Sequence, residues 1–140
     1  MVPVLELIRE LAIYEKEEAQ VKTTVADLER DGFGEYPLFY VVLAEKDGEL
    51  VGMVFYYYSY STWKGKVLYI EDLVVTERFR GMGVGQELFD FMREEASRER
   101  ARQIRFHVLN WNKPAIKFYG KNSVAFDDEW IQCKLEKENI

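Results

Sequence analysis

The chain has 140 residues, enough for one domain with a real core and too few for two. A net charge of −6 and a pI near 5.0 argue against a nucleic-acid partner and favour cationic ligands. The lone Cys133 excludes an internal disulfide and points to a reducing, cytoplasmic compartment. Residues 1–15 lack the basic start and cleavage site of a signal peptide, and the longest apolar stretch, Val51 to Tyr58, is too short to span a bilayer.

Residues 2–14 place Leu5, Ile8, Leu11 and Ala12 on one helical face. Thr23 or Thr24 is set to cap a short helix that ends near Arg30, before an Asp31-Gly32 turn. Residues 38–45 read as a buried strand, Asp47-Gly48 as a two-residue hairpin turn, and residues 49–58 as the next strand. A turn at Trp63-Lys64-Gly65 leads into a strand over 66–76. A helix over 84–100 follows, with Val84, Leu88, Phe91, Met92 and Ala96 as its core side. Residues 103–109 form a strand, and Asn112-Lys113-Pro114 opens another helix, because Asn caps and Pro suits the first turn. A last strand is expected over 129–136. The fold class is α+β, a mixed sheet flanked by helices in one domain over 1–140, with the crossover from 66–76 to 103–109 parallel.

The most informative run is Glu71 to Gly85, where an apolar strand carrying one acid enters Arg-Gly-x-Gly-x-Gly and a helix starts at once. Alternate glycines at a helix N-terminus leave backbone amides available to a phosphate or pyrophosphate. Gln86 stands where a dinucleotide fingerprint needs its third glycine, and no Walker Gly-Lys-Ser/Thr is present. Arg/Gln-x-x-Gly-x-Gly/Ala fits, with Arg80, Gly83 and Gly85 in register. A glycine-rich turn without a ligand is the plain alternative.

That pattern resembles the coenzyme A loop of the GNAT N-acetyltransferases, and Trp111 to Tyr119 resembles the second motif of the same superfamily. Ala12 to Glu15, Asp31 to Gly34, Tyr56-Tyr57-Tyr58 and Leu68 to Asp72 together look like the diamine acetyltransferases. Tyr60 to Gly65 looks closer to the thialysine branch, because the polyamine branch usually has Asp where Ser61 stands. The resemblance implies a GNAT fold and transfer of an acetyl group from acetyl-CoA to a small cationic amine, with no metal. The amine would be a lysine-like amino acid or a diamine, with a polyamine as the alternative. It implies that Leu73, Val74 and Val75 offer backbone groups to the acetyl and pantetheine part. Arg80, Gly81, Met82, Gly83, Val84, Gly85 and Gln86 would hold the pyrophosphate. Asn112, Lys113, Pro114 and Ala115 would touch the pantetheine arm. Tyr14, Glu15, Glu71, Arg105, Phe106 and His107 fall where the family contacts its amine, and Tyr119 matches the proton donor. The family is often homodimeric.

An attacking amine must be neutral, yet an alkylamine titrates near 10, so something must accept its proton. Glu71 is either that base, directly or through one water, or an anionic anchor for the ammonium. Asp72 points to the opposite sheet face if the strand is regular, which suits structural pairing. Tyr119 either protonates the departing thiolate or is one more core tyrosine. Glu15 either holds a second ammonium or belongs to a solvated charge run, and Trp63 either packs on a cationic chain or caps the core. His107, the one histidine, makes no credible metal site. Two departures from the family stand out. The first family strand is missing before residue 2, which leaves the 38–45 edge open. Gly120 to Ala125 also lacks the usual Lys/Arg-x-Gly-Ala turn. A catalytically weak coenzyme-binding module is therefore the competing class.

Overall fold

Helix and strand periodicities resolve, in a computed structural model that describes all 140 residues, into two compact units, Met1–His107 and Val108–Ile140. In the first, α1 (Val2–Tyr14) is followed by α2 (Val25–Phe33), β1 (Tyr40–Lys46), β2 (Glu49–Ser61), β3 (Gly65–Val75), α3 (Val84–Arg98) and β4 (Gln103–Arg105). The sheet order is β1-β2-β3-β4, with the first two pairings antiparallel and β3–β4 parallel, as the crossover rule requires. This is the α+β class expected. β1 is an edge strand.

Local chemistry explains most element ends. Thr24 caps α2 through a reciprocal box: its hydroxyl accepts from the Asp27 amide at 3.1 Å, and the Asp27 carboxylate accepts from the Thr24 amide at 2.9 Å. Asp31-Gly32 is not a turn, because α2 continues through it to Phe33. Gly32 serves packing instead: a Cβ there would lie 2.7 Å from the Phe39 ring. Asp47 and Gly48 both take positive φ, 52° and 78°, as the tight β1–β2 turn demands. Between β2 and β3, the Ser61 hydroxyl accepts from the amides of Trp63 and Lys64 at 3.2 and 3.1 Å.

Helices cover both sheet faces. Val4, Leu5, Leu7 and Leu28 from α1 and α2 pack with Phe39, Met53 and Val74, and Ile8 and Leu11 lie against them. On the other face Val84 and Leu88 of α3 meet Val51. Fully burying a side chain such as Met53 stabilises by about 1.5–3 kcal/mol. The core arc of α3 differs from expectation at one position. Phe89 is buried and Phe91 is 42% exposed, because the arc widens toward Glu95 rather than toward 91. Glu95 is buried with its charge satisfied by the Tyr58 hydroxyl at 3.1 Å and by Arg98.

β4 covers three residues rather than the expected 103–109. It pairs with β3 only from Val67 to Tyr69, and beyond that point β3 carries a bulge that turns it away.

In the second unit, α4 (Lys113–Gly120) starts as the sequence says: Asn112 accepts from the Ala115 amide at 3.3 Å and Pro114 sits in the first turn. The helix runs through Gly120 and closes further on. The Tyr119 carbonyl accepts from Asn122 and Val124, and Ser123 takes the left-handed conformation at φ 63°. The expected strand over 129–136 is absent. Ile131 and Leu135 on one side of that pattern and Trp130 on the other are all exposed, so no buried face selects an extended ladder.

Candidate active site

The bulge in β3 is the structural event that builds the site. Tyr69 pairs with Tyr57 and Asp72 pairs with Phe55, although three residues separate the first pair's members on β3 from the second and two separate them on β2. Opposed residues in a ladder share a face. Glu71 is the extra residue, so Tyr69, Asp72 and then Val74 all face α1 and α2. A regular strand would have sent Asp72 to the α3 side, as the sequence reading has it. The structure overturns that placement: Glu71 and Asp72 line one cleft.

The cleft has a volume of about 650 Å³ and opens between the sheet, the end of α1 and the start of α2. Six carboxylates line it (Glu15, Glu17, Asp27, Asp31, Glu71 and Asp72) against one ammonium, Lys22. Asp27 and Asp31 are already ion-paired with Arg30, at 3.1 and 2.9 Å. The charge facing the cleft therefore comes from Glu15, Glu17, Glu71 and Asp72. Burial and then the charges of Glu71 and Glu15 push the Asp72 carboxyl up to about 7. Burial and Glu17 push Glu15 up as well. Tyr57 lines the cleft with Glu71 and is itself pushed up, first by burial and then by that carboxylate's charge. Its ring stacks on Tyr69 with centroids 5.1 Å apart, and Tyr69, raised to about 12 by burial and Glu71, hydrogen-bonds His107 Nδ1. The neutral Tyr57 phenol thus stands in the cleft beside crowded carboxylates. Such a site gains free energy by admitting a cation.

The predicted amine-contact residues divide accordingly. Glu15 and Glu71 line the cleft. Tyr14 lies under the Arg80 guanidinium, 5.0 Å from ring centroid to Cζ. Trp63 is 83% exposed on the β2–β3 turn and outside the cleft. Arg105 bonds the Gln103 side chain, Phe106 packs edge-on to Phe89, and His107 bonds Tyr69, behind the Tyr57 ring and outside the cleft lining. Asp72 reads from the sequence as structural pairing, because nothing in the spacing marks a bulge at Glu71, and Tyr57 carries no cleft signal of its own.

Next to the cleft, β3 ends at the glycine loop. From Ile70 to Val75 the edge of β3 that faces away from β2 has no strand partner, since β4 pairs only as far as Tyr69. Gly81 and Gly83 take φ of 77° and 85°, and a Cβ on either would meet nothing within 4 Å. Backbone conformation, not space, requires glycine at both. Gly83 is the N-cap of α3 and offers no side-chain cap, so the first-turn amides of Val84 and Gly85 face outward at the positive end of the helix. Arg80 heads the loop, its Nε donating to the Val75 carbonyl at 3.0 Å, and Glu10 of α1 accepts from the Glu77 amide at 3.1 Å. Gly52 gives room to the backbone of β3 and to α3: a Cβ there would come within 2.6 Å of the Val74 carbonyl oxygen and 3.3 Å of Leu88 Cδ1. In the second unit, Tyr119 is half-buried against Phe118, and the Asn112–Ala115 turn forms the helix start described above.

Residues 4–123 match the acetyltransferase (GNAT) family. The chain belongs to that family. It is 44% identical to thialysine N-epsilon-acetyltransferase of Bos taurus over 146 aligned residues, which cover 96% of this chain and 86% of the relative. It is 36% identical to spermidine/spermine N(1)-acetyltransferase-like protein 1 of Homo sapiens, covering 98% of this chain and 21% of that longer protein. Among solved structures, an aminoglycoside acetyltransferase from an uncultured soil sample superposes with a TM-score of 0.78 at 16% identity, over 96% of this chain and 88% of that one. This last likeness carries the fold. The GNAT assignment makes the chain an N-acetyltransferase, and it places the glycine loop and the acidic cleft in one enzyme.

Proposed function

We propose that this GNAT enzyme, one domain over 1–140, acetylates the side-chain amine of a small, lysine-like amino acid or a short diamine, with acetyl-CoA as donor. The observation that carries the reading is the carboxylate pair that the β3 bulge turns into one cleft beside the loop. The thialysine relative supports the amino-acid class of substrate.

The residues present fit the coenzyme. Gly81 to Gln86 offer amides at a helix N-terminus to a diphosphate, and the partnerless edge of Leu73, Val74 and Val75 offers ladder groups to an amide-bearing arm. Asn112 to Ala115 supply a second helix start for that arm. Acetyl-CoA, when bound, supplies an acetyl group activated as a thioester. Glu71, directly or through one water, takes the proton that the substrate ammonium must lose. The freed nitrogen forms the C–N bond as the C–S bond breaks; the Tyr119 hydroxyl gives its proton to the departing sulfur, and the second proton lost by the acetylated nitrogen returns through solvent to the Tyr119 phenolate. Asp72 lies with Glu71 at the reacting amine, and Glu15 holds the remaining positive charge of the substrate. Burial and like charge hold the neighbouring Asp72 and Glu15 carboxyls above their ordinary range, so the cleft gains by taking in positive charge.

A thiol-release assay with acetyl-CoA and a panel of amines tests this. Release with thialysine or a short diamine, lowered about a hundredfold by Glu71→Gln, is expected. Coenzyme binding without turnover on any amine would make the chain a binding module. Calorimetry showing no heat with acetylated or free coenzyme would remove the loop assignment.

A further inference from the structure

The cleft is acidic, but its charge is not evenly spread. The segment that joins the 3₁₀ turn at Glu18–Gln20 to α2 lines it with Gln20, Lys22 and Thr23, three hydrogen-bond donors within four residues. Val21, between them, is extended. None of the three side chains has a partner within the protein, although six carboxylates share the cleft with Lys22. Lys22 is exposed at the rim. A cleft meant for a diamine alone gains nothing from an ammonium at its mouth, because like charges repel. A site for an amino acid needs one cationic group for the carboxylate and anionic groups for both amines.

We infer that Lys22, flanked by Gln20 and Thr23, binds the α-carboxylate of an amino-acid substrate and so selects amino acids over their decarboxylated diamines. The inference rests on the proposed function and refines its substrate class. Glu71 and Asp72 then face the side-chain amine, and Glu15 and Glu17, on the 15–17 stretch after α1, are left for the α-ammonium. Lys22 acts as a specificity determinant, not in the chemistry.

The test compares S-(2-aminoethyl)-L-cysteine with bis(2-aminoethyl) sulfide, which differ only by the carboxylate, for the wild type and Lys22→Met. In Lys22→Met, KM for the amino acid is expected to rise about tenfold, the lower end for a charge-assisted hydrogen bond at an exposed site. The KM for the diamine is expected to fall, since a repelling charge is gone. Lys22→Arg should restore the amino-acid KM. Lys22 is exposed, and circular dichroism checks that the variant folds like the wild type. Equal changes for the two substrates, or no change for the amino acid, would overturn the inference while leaving the proposed function intact. No turnover with either substrate by the wild type would overturn both.

Discussion

Asp72→Asn gives the most direct test of the carboxylate crowding. Asp72 moves from an ordinary 3.8 to about 7 on folding, through burial and the charges of Glu71 and Glu15. A carboxyl with a raised folded-state pKa keeps its proton longer in the native protein. Between those two values the native state binds more protons than the unfolded chain, so stability falls as pH rises, and the loss is complete above about pH 7. At about 1.4 kcal/mol per decade, three decades correspond to about 4 kcal/mol, and water at the open cleft brings this toward about 2. Asn keeps the shape and never ionises. Urea unfolding followed by circular dichroism at pH 4 and pH 8 should find Asp72→Asn close to wild type at the lower pH. At the higher pH it should be more stable by about 2–4 kcal/mol. A difference that does not grow with pH, or a variant less stable at pH 8, would refute the reasoning. The stabilised variant should also bind its amine less well, a trade-off common at active sites.

Tyr119→Phe should lower kcat about a hundredfold in the thiol-release assay while calorimetry finds coenzyme affinity nearly intact; unchanged turnover removes Tyr119 from its role. Gly52→Ala forces a methyl to within 2.6 Å of the Val74 carbonyl oxygen and 3.3 Å of Leu88 Cδ1, so it should cost about 1–3 kcal/mol and lower Tm in a thermal melt. Ser123→Gly relieves a left-handed residue at φ 63° and should raise stability by about 0.5–1 kcal/mol in urea unfolding; a loss would mean that the Ser123 side chain matters more than its backbone.

The sequence by itself determined the elements that local chemistry controls. Thr24 and Asp27 write their own capping box, Asp47-Gly48 its own turn, Asn112-Lys113-Pro114 its own helix start, and Arg80 to Gly85 the loop. Each of these depends on residues within a few positions of one another. Tertiary structure alone decided the rest. Asp31-Gly32 reads as a turn but stays helical, because Phe39 needs the space above Gly32. The 129–136 pattern reads as a strand but has no buried face to hold it as one. Above all, a bulge depends on how β2 and β3 are registered, and register is a relation between distant segments. The one-residue slip at Glu71 turns Asp72 from the α3 face to the cleft, and with it a structural acid becomes part of the site.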